Sequence, residues 1–74
     1  MLNIPCVLNR VHNLLQKYLG SRVDKDKLQG EIAGLLGYGG MRGANKQAAS
    51  FMNEHFDGVK RFADGTYQVP LTLE

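Results

Sequence analysis

The sequence predicts an α+β fold, mostly α, with three helices followed by a C-terminal β-hairpin in one domain over residues 1–74. Three observations lead there. Apolar residues recur at helical spacing in three stretches, about 4–19, 25–36 and 42–56. Glycines or capping residues stand at the ends of those stretches. The pattern then changes to β-forming runs around Asp64-Gly65, giving a hairpin over about 59–71.

In the first helix, Ile4, Val7, Leu8, Val11, Leu14, Leu15, Tyr18 and Leu19 fall on one stripe, with Arg10, Asn13, Gln16 and Lys17 off it. Asn3 is placed to cap its start, Pro5 is tolerated in a first turn, and Gly20 is the expected stop. Asp24 is the expected N-cap of the second helix, and Asp26 adds favourable negative charge to its first turn. Leu28, Ile32, Leu35 and Leu36 give that helix a single apolar face, and Gly37 ends it. Gly30 and Gly34 inside it cost about 1 kcal/mol each against alanine. Either a close helix–helix approach or simple tolerance accounts for them.

A glycine-rich turn, Gly37-Tyr38-Gly39-Gly40, leads into the third helix. Ala44, Ala48, Phe51, Met52, and His55 or Phe56 form its apolar face, and Gly58 closes it. In the hairpin, Phe62 and Tyr67 face each other if the loop has two residues, whereas a three-residue loop changes the pairing. Pro70 assigns the second strand to a sheet edge.

The chain has 74 residues, 43% hydrophobic and 22% charged, with a formal net charge of +2. It is too short for a barrel or a deep two-domain cleft, and its composition is neither disordered nor fibrous. A core of this size supplies roughly 3–5 kcal/mol of net stability, so a ligand or a second copy would add to it. The mild basicity permits a nucleic-acid partner without demanding one. Cys6 stands alone, which excludes an internal disulfide and any paired-cysteine zinc motif. Lack of disulfide staples favours a cytoplasmic location. Asn9, Arg10, His12 and Asn13 break the early apolar run, so neither a signal peptide nor a membrane span is expected.

Glu31-Ile32-Ala33-Gly34-Leu35-Leu36-Gly37-Tyr38 resembles the second helix and turn of bacterial helix-turn-helix regulators. Ile32 and Leu36 match the core positions, Ala33 the small residue facing the third helix, and Gly37 the turn glycine. Ala44, Ala48 and Phe51 fall where the winged-helix domain of the SOS-response repressor has apolar positions. The element order, with a terminal hairpin, is that of a three-helix winged helix-turn-helix with a C-terminal β-hairpin wing. The resemblance covers about half the chain as motif and the rest as order alone. The extra glycines, Gly39, Gly40 and Gly43, and the long third helix depart from it.

The resemblance implies a sequence-specific double-stranded DNA-binding protein, a small transcriptional or replication regulator of prokaryotic or phage type. The third helix would lie in the major groove, offering Arg42, Asn45, Lys46, Gln47, Ser50 and Asn53 to bases and phosphates. Lys60 and Arg61 on the hairpin would meet the backbone or minor groove, although neighbouring strand residues point to opposite sides. The same features also fit a solvated helix face on a protein-interaction adaptor, because fold alone does not give function. The first helix fits two arrangements, one stripe buried within the monomer or a seam that forms a homodimer.

Other chemistry is not expected. The glycine-rich turn lacks the Gly-Lys-Ser/Thr ending of a phosphate loop and does not follow a strand. His12 and His55 lack co-ligands, so no metal is expected, and Cys6 reads as a small buried hydrophobe without a base beside it. Phe51, Phe62 and Tyr67 read as core. No catalytic pair at useful spacing is visible, so neither an enzyme nor a cofactor is expected.

Overall fold

The structure, a computed structural model, describes residues 4–73. Asn3, the expected cap of the first helix, lies outside them. Helix α1 spans Ile4–Gln16, β1 Arg22–Asp24, α2 Lys25–Leu36, α3 Ala44–His55, β2 Lys60–Arg61 and β3 Thr66–Gln68. The strands form one antiparallel sheet in the order β1-β3-β2. Helix α2 packs on the sheet and on both α1 and α3, and three helices with a small antiparallel sheet give the α+β, mostly helical, winged-helix-like layout that the pattern predicts.

Val7, Val11 and Leu15 bury the centre of the α1 stripe, with Leu8, Leu14, Tyr18 and Leu19 half-buried on the same core. A helix that turns these positions inward turns position 6 outward, so Cys6 is exposed rather than buried. The helix also stops earlier than Leu19. Lys17 and Tyr18 N–H groups donate to the Leu14 and Leu15 carbonyls, i→i+3 bonds that tighten the last turn. Gly20 does not close the helix. Its N–H donates to Val69 and Pro70 carbonyls, which brings the chain into the sheet. At the other side of this junction, the Tyr18 hydroxyl donates to the Glu31 carboxylate at 3.0 Å and ties the end of α1 to α2.

The limits of α2 follow directly from its caps. The Asp24 carboxylate accepts from the Asp26 and Lys27 N–H groups at 3.0 and 3.2 Å. At the other end Gly37 is left-handed (φ 88°), the Tyr38 N–H reaches the Ala33 carbonyl and the Gly37 N–H that of Gly34. This double closure satisfies carbonyls that a helix end leaves open. Gly30 and Gly34 are exposed, and a Cβ at either would meet nothing within 4 Å, so no helix approach requires them. Leu28, Ile32, Ala33 and Leu36 are buried, and Leu35 is half-buried.

Residues 37–43 form the turn between α2 and α3, and Arg42 belongs to this turn rather than to the helix. Gly43 is the N-cap of α3 in a left-handed conformation (φ 80°), which explains a glycine there without a phosphate cradle. Ala48, Phe51 and Met52 bury the inner face of α3. Its C-cap is Phe56, whose N–H donates to Met52, so Gly58 lies in the following turn and not at the helix end.

The sheet departs most from expectation. Strand β1 was not anticipated, and β3 is central instead of an edge strand. Pro70 does not prevent this because it follows the end of β3, where the chain is joined to residues 20–21 through the Val69 N–H and the Pro70 carbonyl, neither of which needs an N–H on Pro70. The hairpin loop has three residues. Phe62 N–H donates to Thr66, Gly65 N–H donates to Phe62, and Gly65 takes the left-handed bulge position. Arg61 therefore pairs with Tyr67, and Phe62 is thrown to the outer side, 40% exposed rather than core.

Tyr67, opposite both Val23 and Arg61, is buried. Its hydroxyl accepts from Gln29 Nε2 of α2 at 2.7 Å, and Gln29 is itself buried. Tyr67→Phe strips the amide of its acceptor and should cost about 1–3 kcal/mol in denaturant melts. Adding Gln29→Leu should recover part of that loss. A double variant less stable than Tyr67→Phe would contradict this account of the pair.

Candidate nucleic-acid interface

Burying Ala48, Phe51 and Met52 leaves Lys46, Ser50 and Asn53 on the opposite side of α3, all exposed. Beside them runs β2, an edge strand that the central β3 holds in place. Between α3 and β2 lies a groove of about 560 Å³ lined by Lys46, Ala49, Ser50 and Asn53 from α3 and by Lys60 and Arg61 from β2, with Asp57 and Tyr67 also on its wall. Arg61 shares the helix-facing side of the sheet with its partner Tyr67, while Lys60 pairs with Gln68 on the other side. Both still line the groove because β2 is at the sheet edge. Among the described residues, none of Lys46, Lys60 and Arg61 makes an ion pair.

The other expected residues are distributed around this groove. Asn45 and Lys46 border a second hollow at the start of α3, together with Gly40, Met41, Gly43 and Ala44. The N-cap of this helix makes no side-chain hydrogen bond to it. Gln47 lies on the opposite flank, in a hollow with Leu36, Tyr38, Ser50, Phe51 and Glu54. Arg42 is exposed ahead of the helix and does not line the groove. The structure thus brings together Lys46, Ser50, Asn53, Lys60 and Arg61, and leaves Asn45, Gln47 and Arg42 outside. Asp57 and Tyr67 were not among the expected site residues. The period-two pattern around Tyr67 was the available signal for its inward position, and nothing local marks Asp57.

Arg22, the remaining sheet cation, has a different role. Its guanidinium meets Asp64 at 3.1 Å, donates to Thr66 Oγ1 at 3.1 Å and lies 3.9 Å from the centre of the Phe62 ring. Asp64 also accepts from the Thr66 hydroxyl and N–H, and the Gly65 carbonyl accepts from the Lys25 N–H. The hairpin tip is therefore fastened to β1 and the start of α2. This fixes the direction of β2 and, with it, the wall of the groove.

The Thr66 hydroxyl hydrogen bond, helped by the Thr66 N–H and by Arg22, holds the Asp64 carboxyl below the usual carboxylate range, against partial desolvation. A lowered pKa in the folded state stabilises the fold above the unfolded value and ceases to do so as pH falls through the folded one. Asp64→Ala should therefore be less stable than the parent at neutral pH. Thermal melts should show the gap closing in acid below the usual carboxylate range, and a gap constant with pH would contradict the tie.

His12 and His55 border one shallow hollow between α1 and the end of α3, beside Leu8 and Phe56. The His55 ring lies against Phe51 with centroids 4.6 Å apart, and His12 contacts Gln16 at 3.4 Å. No described helix is long and apolar enough to cross a membrane. No protein-family model, curated protein or solved structure matches the chain.

Proposed function

We propose that this domain binds double-stranded DNA through α3 and the adjoining strand β2, as a small regulator of transcription or replication of prokaryotic or phage type. The observation that carries this reading is the groove in which Lys46, Lys60 and Arg61 converge, without ion-pair partners among the described residues, beside Ser50 and Asn53. Like charges held together repel, and a row of phosphates relieves that repulsion while releasing counterions. Ser50 and Asn53 supply neutral donors and acceptors of the kind that read base edges. An α-helix about 10–12 Å across fits a major groove about 12 Å wide. Asp57 on the wall tempers the positive charge, in keeping with a contact that discriminates among sequences as well as attracting phosphate.

The reading needs no second copy. The groove is formed within one molecule, and Val7, Val11 and Leu15 of the α1 stripe are buried within the chain, with Leu8 and Leu14 half-buried.

Fluorescence anisotropy with random duplex DNA at low salt tests the proposal. The parent should bind, with log K falling against log salt by about 0.9 per phosphate neutralised. Lys46→Ala with Arg61→Ala should weaken binding and flatten that slope by roughly 2. No affinity for duplex at low salt, or an unchanged slope in the double variant, would overturn it.

A further inference from the structure

We infer that the hairpin acts as a brace and not as a minor-groove probe, so that DNA contact is confined to one major groove and its flanking phosphates. The inference rests on the DNA-binding reading above and specifies which groove is read. It starts from the chemistry of the tip. Residues 62–65 are Phe62, Ala63, Asp64 and Gly65, a stretch with a carboxylate and no cation. The minor groove is lined with acceptors and carries a negative potential, strongest where it is narrow, and proteins enter it with arginine or lysine. Arg22, whose guanidinium reaches the tip, is engaged by Asp64 and Thr66 and stacked on Phe62.

Geometry points the same way. The Lys25 N–H to Gly65 carbonyl bond of 2.9 Å holds the tip against the start of α2. With only Lys60–Arg61 in β2 and a loop of three residues, the ribbon is short and its tip is bonded to the helix beside it. The hairpin cations lie at its base, on the wall shared with α3, and not at its end. There they suit phosphates beside the groove that α3 occupies.

Two duplexes of equal sequence test this with the full chain. In one, cytosines are replaced by glucosylated 5-hydroxymethylcytosine, whose neutral sugar fills the major groove. The other is unmodified and saturated with netropsin, which occupies the minor groove of A·T runs. The inference expects more than a tenfold loss of affinity on the first and less than a threefold loss on the second. Binding to the unmodified duplex that netropsin reduces tenfold or more, or that the major-groove sugar leaves unchanged, would overturn it. No binding to the unmodified duplex would instead overturn the DNA-binding reading on which it rests.

Discussion

Tyr67 is the residue about which the architecture is arranged. It is the middle residue of the middle strand, paired with Val23 on one side and Arg61 on the other. Its ring is buried and its hydroxyl accepts the Gln29 amide from within α2. A buried amide without an acceptor is expensive, so the sheet has one favourable position against the helices. The place of β2 beside α3 follows from that position. The candidate groove therefore depends on a buried hydrogen bond outside its own charged residues, with Tyr67 forming part of its wall.

A second constraint acts at the opposite end of the hairpin. Arg22 and Asp64 join β1 to the tip through exposed side chains, a contact that alone contributes little to stability. Its value is directional. Together with the Lys25–Gly65 backbone bond it prevents a short ribbon from swinging away from the helices. The division of cations follows from this arrangement. Arg22 is neutralised where the chain must be fastened, whereas Lys46, Lys60 and Arg61 remain available where a ligand would be met.

Local chemistry made much of the fold legible. The limits of α2 could be read to the residue because Asp24 and Gly37 act through bonds to their own helix. The inner face of α3 followed from the spacing of Ala48, Phe51 and Met52. Features set by distant partners were not legible. Strand β1 contains one apolar residue, Val23, and is a strand only because residues 66–68 pair with it. The side that Phe62 takes is not legible locally, because one added loop residue reverses which side of the strand a residue occupies. Pro70 suggests an edge, but β3 ends at Gln68, and Pro70 beyond it contributes only its carbonyl, which accepts from Gly20. For the site, the exposed face of α3 was readable from helical periodicity. The meeting of that face with both Lys60 and Arg61 was not, since it depends on β2 lying at the sheet edge.

The central claim is that α3 and β2 form one face that receives a duplex. Mapping backbone amide chemical shifts during titration with a short DNA duplex tests it most directly. The account predicts that the largest changes gather at Lys46, Ser50, Asn53, Lys60 and Arg61, with the outer side of α1 around Arg10 and Asn13 little affected. Changes concentrated on α1, or spread evenly over the molecule, would contradict it.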